Sequence, residues 1–181
     1  MEQLLEVFDA GNQPLGYTKP KAQIEQDGDW HRTAQVFVVS GHNELLVSLR
    51  HPTKKVLPNY WDVCVGGHTD PGEMYEEAAL RETQEELGVR PGAGELQFVG
   101  YFRVEVTENQ LLDREHAAVY VWKTSCGLND FTMQPDEIAE LRYMSIETVK
   151  RDLARDQPSL AYTPPRPTYY EMLCRVEKLL S

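Results

Sequence analysis

The 181-residue sequence predicts an α+β fold, with strands and helices sharing one domain over residues 1–181. Three observations carry that expectation. Runs rich in branched and aromatic residues at 32–40, 44–50, 96–106 and 117–123 have the length and composition of strands. Stretches at 74–87, 146–155 and 169–180 have the length and pattern of helices. Turn signals built from Gly, Pro and Asn separate the two kinds. Such a mixture folds as layered α+β or as an α/β/α sandwich, and periodicity alone does not choose between them.

In chain order, residues 3–9 and 15–19 are short apolar runs joined by Ala10, Gly11, Asn12, Gln13 and Pro14, which predicts a β-hairpin. With the polar connector that follows (19–30, a short helix or a loop), the hairpin makes up residues 1–30. Strands at 32–40 and 44–50 turn through Ser40, Gly41, His42 and Asn43. A basic, proline-bounded loop covers 51–60, and 61–65 is strand-like. Along the helix at 74–87, Leu80, Thr83 and Leu87 lie opposite Glu82, Glu85 and Glu86. Ala78 and Ala79 flank that acidic face, as if to leave room there. Gly88 is the expected stop. After strands at 96–106, 117–123 and 141–144 come a helix at 146–155 and a proline-rich segment at 163–167. A C-terminal helix lies within 167–181.

Composition narrows the function. The net charge of −11 disfavours a nucleic-acid partner, because the phosphate backbone rewards positive surfaces. No apolar run approaches bilayer length, which predicts no membrane partner, and the first residues lack the pattern of a secretory signal. Cys64, Cys126 and Cys174 are odd in number and scattered, which suits a reducing, cytoplasmic setting better than a disulfide framework.

The chemistry concentrates at 67–89. Gly67 and Gly72 shape a turn carrying Glu73, and the following helix carries Arg81, Glu82, Glu85 and Glu86 before Gly88 and Val89. A helix turns about 100° per residue, so the three glutamates share one narrow face. Like charges so close repel unless a cation sits among them, and a hard divalent metal is the natural one. This stretch resembles the Nudix box, with Thr83 standing where an aliphatic residue is usual; Thr83 is expected to pack rather than to break the site. The resemblance implies the Nudix fold, an α/β/α sandwich around a mixed sheet. It also implies hydrolysis of the pyrophosphate linkage of a nucleoside diphosphate derivative by water attack at phosphorus, with Mg²⁺, or Mn²⁺ in its place. Metal ligands would be Glu82, Glu85, Glu86 and the Gly66 carbonyl, with Arg81 and Glu73 holding the carboxylates in place. One further acid is expected from a later loop, Glu137 or Glu115 (just before the strand at Ala117); either could be the general base, with Glu137 set among the catalytic residues and Glu115 among the metal ligands. Homodimers are common in such a family.

Residues 31–68 further resemble the branch that contains isopentenyl-diphosphate isomerase, through His31, the run from Arg50 to Lys55, Leu57-Pro58, Trp61 and Gly67-His68. That resemblance assigns Arg50 and Lys54 to the substrate diphosphate, beside Gly67, and makes His31 and His68 candidates for a second metal. It also supplies the alternative reading of an isomerase. That enzyme's catalytic cysteine, however, corresponds to Gly66, and Cys64 lies two residues away. A non-catalytic nucleotide-binding module is the other alternative, although such modules usually lose acids from the box and this chain keeps all of them.

Overall fold

The structure is a computed structural model describing residues 3–108 and 111–181. A mixed sheet of nine strands lies between helices on both faces, the sandwich that the box resemblance implies. The N-terminal hairpin is β1 (Leu4–Phe8) and β2 (Pro14–Pro20), and the polar connector is helical as α1 (Lys21–Asp27). The hub is β3 (Trp30–Ser40). It pairs in parallel with β8 (Leu111–Thr124) from Trp30↔Arg114 to Ser40↔Thr124, and antiparallel with β6 (Val65–His68) from Thr33↔His68 to Val36↔Val65. Its ends meet β1 and β4 (Glu44–Arg50). β4 carries β5 (Trp61–Asp62) and β9 (Ile138–Ser145), and β8 carries β7 (Leu96–Glu108).

Side chains of β3 alternate between two cores, and helices cover both faces, which explains its nearly continuous apolar run. Ala34, Val36 and Val38 pack against Ala78, Ala79 and Leu87 of α2 (Tyr75–Leu87). Phe37 and Val39 pack toward Val149 and Leu153 of α3 (Ile146–Leu153) and Met172, Leu173 and Val176 of α4 (Arg166–Leu180). Thr83 is fully buried, and its hydroxyl donates to the Ala79 carbonyl at 2.7 Å, so it packs as expected. Ala78 and Ala79 do not open space beside the acidic face. Both are completely buried, and their small size lets α2 lie close on the sheet.

Several element boundaries differ from the expectation. The strand-like stretch at 61–65 is two strands, β5 on β4 and β6 on β3, with Val63 and Cys64 between them. β8 starts at Leu111 rather than Ala117, because Asp113 and Glu115 are alternating strand residues that face a cleft. β9 is longer than expected, and α3 stops two residues early.

The segment between α3 and α4 hangs on Asp152. Its carboxylate is 4% exposed and accepts from the Ser159 N–H and hydroxyl, both at 2.7 Å, and from the Leu160 N–H at 3.3 Å. This positions Tyr162 to bridge to Trp61. Burial opposes ionisation, but these donors outweigh it and hold the carboxyl below its usual range. A carboxyl lowered on folding adds stability above its unfolded pKa and loses it as pH falls through the folded value. Asp152→Asn, which sets an amide donor against backbone donors, is therefore expected to lower the unfolding free energy at neutral pH by about 2–3 kcal/mol. The gap from wild type should shrink toward about pH 3 in urea titrations; a gap independent of pH would contradict the assignment.

Candidate active site

The cleft lies where one face of the sheet changes character. On β3 the side chains toward α4 run Val39 and Phe37, then Gln35, Thr33 and His31; on β8 they run Val121, Val119 and Ala117, then Glu115 and Asp113. Apolar residues close the sandwich, and the polar ones open it into a cleft of about 480 Å³. Glu82, Glu85 and Glu86 of α2 line it from one side, and the loops after β4 and before β9 line it from another.

Arg81 organises the box. Its guanidinium grips Glu73 through Nε and Nη2, both at 2.9 Å, and Nη2 also donates to the His68 carbonyl at 2.9 Å. Nη1 donates to Glu82 at 2.7 Å and lies 3.4 Å from Glu85. That fork ties the turn to the helix, and the ion pairs keep Glu73 below the usual carboxylate range. The three acids are unequally exposed: the Glu82 side chain is at 14%, Glu85 at 52%, and Glu86 is half-buried. Burial pushes Glu86 up to about 8, against the single N–H that Gly66 offers its Oε1 at 3.1 Å. Burial also raises Glu82, with Arg81 opposing. Carboxylates raised by desolvation need a proton or a cation, and an all-oxygen set of three suits a hard divalent metal.

Contacts constrain the two glycines where the box begins, Gly66 against backbone and Gly67 against the Glu82 side chain. A Cβ on Gly67 would stand 2.4 Å from the Glu82 carboxylate. Gly66, at φ +154°, would place one 2.1 Å from the Ala34 carbonyl oxygen on the neighbouring strand. No side chain fits at 66 without moving the sheet, so a catalytic thiol has no place there. Cys64 reaches the same cleft, but burial raises its thiol well above the ordinary range and keeps it neutral.

The remaining expected residues divide into two groups. Glu115 gathers with His31 and His68, each offering one ligand atom within 4.8 Å of the others. Burial lowers His31 to about 4 and holds His68 well below its ordinary range, so both rings are neutral; neither His31 nitrogen completes a hydrogen bond. Neutral imidazoles with a carboxylate suit a borderline metal such as zinc. On the other side Glu137 lies within electrostatic reach of Glu86 and forms an ion pair with Lys54. Arg50 lines the cleft, but its donors are engaged by Asp62 at 3.0 Å and by the Leu57 and Val56 carbonyls at 3.1 and 3.0 Å. It shapes the 51–60 loop more than it offers free charge.

Sequence reading missed Asp62, Asp113, Gln35 and Tyr169, which also line the cleft. The alternation of His31, Thr33 and Gln35 within an otherwise apolar strand was the available signal for Gln35. Nothing local to Tyr169 marks it, since α4 brings it in from the far end of the chain.

The NUDIX domain family model matches residues 29–163. An uncharacterised Nudix hydrolase of Clostridium acetobutylicum is 31% identical over 155 residues, covering 84% of this chain and 74% of that protein. An isopentenyl-diphosphate Delta-isomerase of Paenarthrobacter aurescens is also 31% identical, over 80% of this chain and 76% of its own length. Among solved structures, DR0079 of Deinococcus radiodurans shares the fold with a TM-score of 0.70 at 22% identity, over 96% of this chain and 98% of that one. The match over most of the sequence, the sandwich and the intact acidic box agree: the chain belongs to the NUDIX domain family and is a Nudix-type hydrolase.

Proposed function

We propose that the chain is a Mg²⁺-dependent pyrophosphohydrolase that cleaves a nucleoside diphosphate derivative by water attack at phosphorus. The observation that carries this reading is the convergence of Glu82, Glu85 and Glu86 on one cleft, held by the Arg81–Glu73 fork and the Gly66 N–H. A divalent metal on these oxygens would offset phosphate charge and acidify water. The chain's own charges make it necessary. Seven carboxyl side chains line the cleft against four cationic ones, a formal excess of three negative charges when all are ionised, and a diphosphate would be repelled by it. Three of those cations are committed: Arg81 to the box, Arg50 to Asp62, and Lys54 to Glu137.

Glu137 is the proposed general base. Its carboxylate is held by Lys54, and its backbone carbonyl accepts from the His51 N–H at 2.8 Å, so two loops meet at the cleft. A substrate phosphate competes with Glu137 for Lys54 and frees the carboxylate to take a proton from the attacking water. Arg81 keeps Glu82 and Glu85 oriented throughout. The His31, His68 and Glu115 group is proposed as a second metal position. The isomerase reading is not favoured, since Gly66 leaves no space for the thiol that would move a proton to carbon.

A nucleotide panel assayed with and without Mg²⁺ tests this reading, with turnover confined to diphosphate-containing compounds plus metal as the expected result. Glu86→Gln is expected to lower kcat by roughly two orders of magnitude or more with unchanged thermal unfolding; near-normal turnover would remove Glu86 from the metal site. Glu137→Gln is expected to lower kcat by about 10²-fold or more and, by freeing Lys54, to lower KM, whereas Lys54→Met raises KM. Equal KM values for the two variants would break the proposed exchange.

A further inference from the structure

Residues 51–60 connect β4 to β5 and carry Lys54, yet none of them is buried, so no core side chain anchors this loop. Its two ends are tied by backbone: the Arg50 N–H donates to the Tyr60 carbonyl at 2.9 Å, and the Asn59 N–H to the Arg50 carbonyl at 3.2 Å. Between those ends the chain takes an unfavourable turn. Leu57 stands at φ +49°, a left-handed backbone that a bulky side chain avoids. It also precedes Pro58, whose ring disfavours helical backbone at the residue before it. A residue so placed persists only when its surroundings hold it there.

One guanidinium does the holding. Arg50 Nε donates to the Leu57 carbonyl at 3.1 Å, and Nη2 donates to the Val56 carbonyl at 3.0 Å. The remaining arm, Nη1, donates to Asp62 at 3.0 Å. Asp62 sits on β5, where it pairs with Ser48 of β4, so its carboxylate is fixed to the sheet. Burial pushes that carboxyl up, and the Arg50 charge leads the groups that favour its ionised form. A planar fork anchored at one arm by a carboxylate has the orientation of its other donors set. Three residues before Leu57, the Lys54 N–H donates to the His51 carbonyl at 3.0 Å, and its ammonium pairs with Glu137 at the cleft.

We propose that Asp62 is a positioning residue for the reaction: through Arg50 it keeps the strained 51–60 turn folded back, and the turn keeps Lys54 at the cleft for a substrate phosphate. The phosphate role of Lys54 rests on the pyrophosphohydrolase reading; the Asp62–Arg50 clasp does not.

Two measurements on the full chain test this. Limited trypsin digestion followed by mass spectrometry reads the loop without reference to activity. Asp62→Asn keeps the side chain's size and removes its charge. It is expected to speed cutting after Lys54 and Lys55 by about tenfold or more, while cutting after the exposed Arg155 beyond α3 stays unchanged. Arg50→Lys, which keeps the charge and loses the fork, is expected to do the same. Unchanged loop cutting in either variant, or an equal rise at Arg155, overturns the clasp.

The second measurement is calorimetric binding of methylenediphosphonate, a diphosphate with no cleavable linkage, in Mg²⁺. Asp62→Asn and Lys54→Met are each expected to weaken it about tenfold, and the double variant to bind no more weakly than Lys54→Met alone. Multiplied losses, about a hundredfold in the double variant, overturn the proposal, because Asp62 then acts other than through Lys54. Wild-type binding with unchanged digestion removes the clasp and leaves the hydrolase reading standing. Faster loop cutting with no wild-type binding keeps the clasp but removes that reading, and with it the part of Asp62 in the reaction.

Discussion

Carboxylates crowded into a half-buried cleft have to be matched by positive charge, and the arrangement around the box follows from that need. Glu86 is pushed up to about 8 because burial strips it of water and one backbone N–H does not compensate. Glu82 is raised for the same reason, while Arg81 opposes the rise. One guanidinium serves Glu73, Glu82 and Glu85, so it fixes where the acids stand without neutralising them. A divalent cation on these oxygens would bring the missing charge, and an anionic substrate would then meet a cleft whose field had been reversed.

The fold places that deficit at one end of a single sheet face. The hub strand and its parallel neighbour begin the face with Val39, Phe37, Val121 and Val119 and finish it with Gln35, Thr33, Glu115 and Asp113. The apolar part supplies cohesion between sheet and helices. The polar part supplies the cleft, and strands paired along their whole shared length keep it rigid. Gly66 and Gly67 let β6 run close against β3 and under Glu82, so the turn, the sheet and the acidic helix meet without intervening side chains.

Much of this was legible in the sequence, and the limits have physical causes. The box is a local pattern of residue type and spacing on one helix, so it was legible that Arg81, Glu82, Glu85 and Glu86 would stand together on one cleft. The helices and the hub strand were legible because their apolar residues repeat with the element's period. Glu115 was read as a loop acid because a strand that lines a cleft alternates apolar with charged residues and resembles a polar turn. Glu137 was singled out because its loop resembles the acid-bearing loop of the Nudix hydrolases, but its pairing with Lys54 depends on how two loops meet. Arg50 was read as a free cation, and nothing in the sequence shows that Asp62 and two carbonyls engage its donors. Tyr169 reaches the cleft through the docking of α4, and Thr163 through its N–H bond to the Trp61 carbonyl at 3.0 Å, both long-range events with no local signature.

The central claim is that three box carboxylates bind a divalent metal. Its most direct test is titration of the wild-type chain with Mn²⁺, read by the loss of free-ion electron paramagnetic resonance signal, beside a variant carrying Glu82→Gln, Glu85→Gln and Glu86→Gln together. The account predicts saturable Mn²⁺ binding that Mg²⁺ competes away and that disappears in a folded triple variant. Mn²⁺ binding of equal strength in the two proteins, or none in the wild type, would contradict it.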